Sequence, residues 1–278
     1  MKIDISKGRY WDRPWSLVES CTRCSLGCDH CWALAMEKRF HKGIEGQVFE
    51  RDDRLEIPAR AKKPTVFSVW NDAYHEAVTN NFRVAMYAAI AEASPKHTFL
   101  ILTKRPKLMA QFWNQTHAGA VPFDNVYHGL TVCNQQEADE KIPVFLRVPG
   151  KKFLSIEPCL GPVDLTKIQA GNHWINALNG NSQYVSSLGP ILDAVILGGE
   201  TGPGARPMNP DWVRGVRDQC AAAGVPFFFK QWGEWGLNWL NDDSGKIAGS
   251  EWMDKMGKKA AGRVLDGRTY DDLPWVKP

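Results

Sequence analysis

Short apolar runs recur along this 278-residue chain, at roughly residues 15, 65, 98, 126, 152, 193 and 225, and amphipathic segments separate most of them. Thr65-Val66-Phe67-Ser68-Val69-Trp70 precedes helical spacing from Glu76 to Ser94, and Thr98-Phe99-Leu100-Ile101-Leu102-Thr103 precedes a helix from Lys107 to about Asn114. Apolar strands alternating with such helices make βαβ units and a parallel sheet. The spacing therefore predicts an α/β fold, and seven repeats favour a (βα) barrel, complete or partial and TIM-like, over an open doubly wound sheet. In such barrels the chemistry sits at the C-terminal ends of the strands. Those ends carry Asn71-Asp72, Thr103-Lys104-Arg105, Thr131 with Asn134, Ser155 with Glu157, Gly198-Gly199-Glu200 and Lys230-Gln231.

Residues 1–236 are expected to form the barrel. An insertion falls near 165–190, where Gly171, Asn179, Gly180 and Asn181 break the rhythm, and 237–278 reads as a C-terminal extension packing on the barrel. Asn209 as cap, Pro210 in the first turn and Gly224 past the end predict a helix over 210–223. No stretch approaches the ~18 apolar residues of a membrane span, and the N-terminus lacks a signal-peptide apolar region. The expectation is a cytoplasmic protein with no membrane partner. A formal net charge of +3 permits a nucleic acid or phosphate-bearing partner without requiring one.

At the end of the first apolar run, Trp15-Ser16-Leu17-Val18, which reads as one buried strand, the chain packs Cys21, Cys24, Cys28 and Cys31 into eleven residues. Good helix formers follow from Ala33 to Arg39. In a reducing compartment clustered cysteines bind metal or do chemistry more often than they form disulfides. A structural zinc site usually separates two Cys-x-x-Cys pairs by about 12 to 20 residues, whereas Cys24 and Cys28 leave only three between the pairs. The two-cluster ferredoxin spacing orders its gaps differently and needs a second cysteine set. Cys24-x-x-x-Cys28-x-x-Cys31 can instead grip three irons of a 4Fe-4S cluster and leave the fourth open. Four buried free cysteines, the plain alternative, sit poorly in so polar a loop.

Cys-Ser-Leu-Gly-Cys-Asp-His-Cys resembles the Cys-x3-Cys-x2-Cys signature of the radical S-adenosylmethionine (radical SAM) superfamily. More narrowly, the chain resembles an uncharacterised phage- and bacterium-associated radical-SAM-like family. The resemblance is carried by Trp15–Thr22, Leu102–Pro106, Leu154–Pro158, Gly198–Pro207 and Pro226–Gly233. The superfamily spacing takes Cys24 as the first ligand and the narrower family takes Cys21; Cys28 and Cys31 serve in both. What the resemblance implies is reductive cleavage of S-adenosylmethionine at a 4Fe-4S cluster. A 5′-deoxyadenosyl radical would then remove hydrogen from a small-molecule or nucleic-acid substrate, with electrons from a donor such as flavodoxin or ferredoxin. It also implies that the His30 backbone contacts the adenine, that Asn71 and Asp72 hold the methionine amine, and that Thr131 and Asn134 bind the ribose. Glu157 and Glu200 would bind cofactor or substrate, with Glu157, Lys230 and Glu200 as catalytic candidates. The rival reading is a non-catalytic zinc or iron–sulfur protein on the same barrel, acting as a nucleic-acid or protein binding module.

The glycine-rich run Gly198–Gly204 could cradle a phosphate, but it lacks the Lys-Ser/Thr ending of a P-loop. A tight turn that aims Glu200 is the better account. Lys104, Arg105, Arg206 and Lys230 sit at strand ends and suit an anionic substrate, although pairing with nearby carboxylates explains Arg105 equally well. His75 and His128 lack metal spacing and read as structural.

Overall fold

The structure, a computed structural model, describes residues 3–31, 33–35, 47–116, 123–182, 191–237 and 253–276. Its elements follow the apolar runs. The strands β1 (Arg13–Trp15), β4 (Val66–Val69), β5 (Thr98–Thr103), β6 (Val126–Thr131), β7 (Lys151–Ile156), β10 (Ala194–Gly198) and β11 (Phe227–Gln231) form one sheet in that order. Every pairing in it with an assigned register is parallel. β4, β6 and β10 are buried at every position, as strands covered on both faces must be, which is why they read as compact, largely apolar runs. The strand order has two ends, so the sheet is an open series and not a complete barrel.

Two compact units divide the chain. One takes Met1–Thr131 and Lys141–Phe153, and the other takes Val132–Glu140 and Leu154–Val276. In the first unit an aromatic layer runs across neighbouring strands. Phe67 pairs with Phe99 in register and stacks on it at 5.6 Å, while Trp15 tilts against Phe99 at 5.6 Å. All three rings are fully buried, and each such pair contributes roughly 0.5–1.5 kcal/mol beyond its buried area. This unit includes the helices α1 (Asn80–Glu92) and α2 (Pro106–Thr116). α1 starts later than the spacing predicts because Thr79 caps it, accepting from Phe82 N at 3.1 Å. The residues before it fold back on themselves, with Asp72 accepting from Tyr74 N and His75 from Ala77 N.

One predicted strand is broken. β1 ends at Trp15, and the Leu17 amide donates back to the Trp15 carbonyl at 3.0 Å, turning the chain. Val18–Glu19 (β2) then pairs antiparallel with Phe49–Glu50 (β3), outside the parallel sheet. Of the helix expected over 33–39, Ala33 to Ala35 are helical and 36–39 lie outside the described residues.

The helix α3 (Gln135–Phe145) follows β6 and crosses from the second unit into the first. In the second unit the expected insertion is a hairpin, β8 (Ile168–Ala170) with β9 (His173–Ile175); residues 183–190 of that insertion lie outside the described residues. The helix α4 (Pro210–Ala223) has the predicted bounds, with Asn209 accepting from Asp211 N at 2.8 Å. Beyond β11, β12 (Trp235–Leu237) pairs with β13 (Met253–Lys255), and the short helix α5 (Lys258–Ala261) follows. The tail is more than a packed extension: Asp271 bridges Phe228 antiparallel, on β11 itself. Among the described residues no helix is long and apolar enough to cross a membrane.

Candidate metal centre

All four clustered cysteines are free thiols: Cys28 is buried, Cys21 and Cys31 half-buried, and Cys24 exposed. Ser25 caps a single 3-10 turn, Leu26–Cys28, by accepting from Gly27 N at 3.1 Å, and the Cys31 amide donates to the Cys28 carbonyl at 3.3 Å. The turn folds the Cys28 thiol back to a hydrogen bond with Cys24. That bond holds Cys28 down to about 5 and pushes Cys24 up, with burial adding to the rise at Cys24. Cys28 is therefore the more readily ionised of the two, and the thiolate is the form that binds metal. Burial and the neighbouring Asp72 push Cys21 up, and Arg105 opposes them. Four free cysteines within one loop fit a thiolate-ligated cluster in their chemistry. Among the described residues, no group of three His, Cys, Asp or Glu side chains stands ready to hold an ion.

A clamp built from the ends of β4 and β5 grips the start of this loop. Asp72, only 6% exposed, accepts on one oxygen from Tyr74 N (2.9 Å) and the Thr103 hydroxyl (2.6 Å). Its other oxygen accepts from Lys104 N (3.2 Å) and Arg105 Nη1 (3.0 Å). Arg105, itself buried, donates through Nη2 to the Thr22 carbonyl (3.1 Å) and hydroxyl (3.0 Å), and through Nε to Glu76 (2.7 Å). Its Nη1 also lies 3.8 Å from Cys21 Sγ. His75 Nε2 meets the Thr22 hydroxyl at 2.7 Å; its Nδ1 accepts from Ala77 N, so Nε2 carries the proton and donates.

The predicted cofactor-binding residues have the following protein partners. Asn71, at φ 60°, donates its side-chain amide to the Val18 carbonyl at 2.7 Å. Asp72 already accepts four hydrogen bonds, so its visible work is to orient Arg105 and the β5 end. Thr131 is buried, and Asn134 caps α3 by accepting from Glu137 N at 3.0 Å. His30 is half-buried in the cysteine loop. Thr22 and Glu76 escaped the sequence reading; a hydroxyl flanking the first cysteine and a carboxylate four residues after a strand-end aspartate were the only signals.

The second unit carries its own strand-end groups. Glu157, which precedes a cis Pro158, pairs with Lys230 Nζ at 2.8 Å and accepts from Gln231 Nε2 at 3.3 Å. Glu200, 4% exposed, grips Arg206 through its backbone N (2.9 Å), Nε (2.8 Å) and Nη2 (2.6 Å). The glycine-rich run owes its composition to a close crossing of two loops. A Cβ on Gly199 would overlap the Trp232 carbonyl oxygen, and one on Gly233 would overlap the Glu200 carbonyl oxygen. Gly233 also has φ 93°, a left-handed backbone that L side chains rarely adopt. The Gly202 amide then donates to Glu234 at 3.0 Å, so the run is a structural turn fastened by side chains. His128 is structural too. Its Nδ1 donates to the Pro149 carbonyl at 3.0 Å and its Nε2 accepts from Tyr87, whose hydroxyl is 2.9 Å from that of Tyr74.

The family described as a protein of unknown function (DUF5131) matches residues 5–274, nearly the whole chain, and the chain belongs to that family. No curated protein and no solved structure matches it.

Proposed function

We propose that this DUF5131 member is a radical SAM enzyme on a partial TIM-like barrel, working in the cytoplasm on a small-molecule or nucleic-acid substrate. The observation that carries the reading is the loop after β1. Four free thiols lie within eleven residues, the Cys24 contact favours ionisation of Cys28, and the loop lies just past β1, the first strand of the parallel sheet, beyond the short β2. Cys28 and Cys31 would ligate a 4Fe-4S cluster together with Cys24 or Cys21. When bound and reduced, that cluster supplies the electron that breaks the sulfonium–C5′ bond of S-adenosylmethionine, giving methionine and a 5′-deoxyadenosyl radical. The chain's own work is to hold the thiolates, exclude water and orient the substrate. Clamping by Arg105 and Asp72 keeps the loop's first residues fixed, which supports positional control of a reactive centre. Within the second unit, Glu157 and Lys230 offer an ion pair at strand ends, suited to orienting an anionic group or moving a proton. A flavodoxin- or ferredoxin-like donor would supply the electrons.

Anaerobic reconstitution with iron and sulfide should give a brown protein with about four irons per chain. With a strong reductant and S-adenosylmethionine it should release 5′-deoxyadenosine, and Cys28→Ala should abolish that release. A colourless zinc-loaded protein refutes the cluster. An iron-loaded protein that never releases 5′-deoxyadenosine supports the binding-module reading instead.

A further inference from the structure

We infer that Arg105 is the positioning residue of the cysteine loop: it latches the loop's first residues to the strand ends and raises the reduction potential of the cluster the loop holds. The second half rests on the radical SAM reading; the latch does not.

The argument is geometric. Among the described residues no strand pairs with Cys21 or Thr22, and the turn that orders the later cysteines begins only at Leu26. The described side-chain contacts that fix Thr22 come from His75 and from the Arg105 fork, whose Nη2 bonds both its carbonyl and its hydroxyl. The fork is rigid because Asp72 holds Nη1 and Glu76 holds Nε. Asp72 in turn is fixed by the Tyr74 and Lys104 amides and the Thr103 hydroxyl, so the latch is anchored in backbone at the ends of β4 and β5. A planar fork with directional donors does this where an ammonium on a flexible stem cannot.

The same guanidinium is a fixed positive charge beside the thiols, with Nη1 at 3.8 Å from Cys21 Sγ. A positive charge near a cluster favours its reduced, more negative state. Removing it leaves Asp72 and Glu76 facing the loop unbalanced, and the potential must fall.

The latch predicts how fast the loop opens. Arg23 is exposed within it, so trypsin cuts after Arg23 when the latch releases. Losing two charge-assisted hydrogen bonds should speed that cut on the order of tenfold or more in both R105M and R105K, while E76Q, which keeps an oxygen to accept from Nε and leaves the Thr22 bonds in place, should speed it far less. Near-ultraviolet circular dichroism establishes which variants keep the fold, and R105K decides if R105M does not. A folded Arg105 variant cut at Arg23 at the wild-type rate overturns the latch.

In iron-loaded protein, redox titration followed by electron paramagnetic resonance should place R105M at a more negative potential than wild type, with R105K close to wild type because its charge remains. Equal potentials in all three overturn the tuning. If the wild type binds no iron, the cluster reading and the tuning fall together, and the trypsin result still judges the latch.

Discussion

Lowering the pH from 7 to 5 should destabilise this protein by about 2 kcal/mol through one side chain, His128. The imidazole is 2% exposed, with Trp113 5.2 Å from its ring, and burial pulls its pKa from 6.5 to about 3. Its two nitrogens are matched to the neutral form, one donating to Pro149 and the other accepting from Tyr87. Protonation would put a second N–H against a tyrosine hydroxyl and a charge in an aromatic cage. Because the folded value lies below the unfolded one, the stabilisation is complete above pH 6.5 and is lost as the pH falls toward about 3. At pH 5 the unfolded chain is protonated and the folded one is not, a gap of about 1.5 pH units at ~1.36 kcal/mol each. Urea denaturation of wild type and His128→Gln at pH 7, 6 and 5 measures it. His75 and His97, whose values burial also lowers, remain in both proteins, so the difference between the two pH slopes belongs to position 128. Equal slopes would refute the reasoning, whatever the absolute stability of the variant.

Two further comparisons rest on the same kind of contrast. Gly199→Ala drives a Cβ into the Trp232 carbonyl and should cost 3 kcal/mol or more, on the order of a severe overpacking. Gly215→Ala, with open space around it inside α4, should stabilise by about 0.5–1 kcal/mol, both read from thermal melts. Asp72→Asn strips the charge that balances the buried Arg105 and should cost about 3 kcal/mol. Glu76→Gln touches the same guanidinium from a carboxylate that is 62% exposed and should cost less than about 1 kcal/mol.

How far the sequence is legible depends on whether local chemistry decides the outcome. β4 and β6 are visible because strands buried on both faces are mostly apolar, and α4 because Asn209 and Pro210 mark its start. The break after Trp15 is invisible, since Val18 is as apolar as its neighbours and only its partner, Glu50, is elsewhere. The cysteines suggest a metal site by spacing alone. Asp72 does not announce its partners: a strand-end carboxylate suits many donors, and only the positions of Tyr74, Thr103, Lys104 and Arg105 show which ones it accepts from. Likewise Gly199 belongs to a run that reads as a tight turn, and nothing in the sequence shows that this turn crosses the loop of Gly233. These are contacts between residues far apart in the chain, where composition carries no record of the partner.

The bridge from Asp271 to Phe228 bears on solubility. β11 is the last strand of the sheet, and its run of three phenylalanines would otherwise present unpaired amides and carbonyls to any passing chain. The tail takes those groups itself: Phe229 N donates to the Tyr270 carbonyl at 3.0 Å and Asp272 N to the Phe227 carbonyl at 3.3 Å, while Arg263 reaches the Phe229 carbonyl. A chain shortened before Arg263 would carry a sticky, phenylalanine-rich edge and should self-associate through strand addition. The last residues of the second unit are thus a seal against aggregation, built from the same hydrogen bonds that extend a sheet.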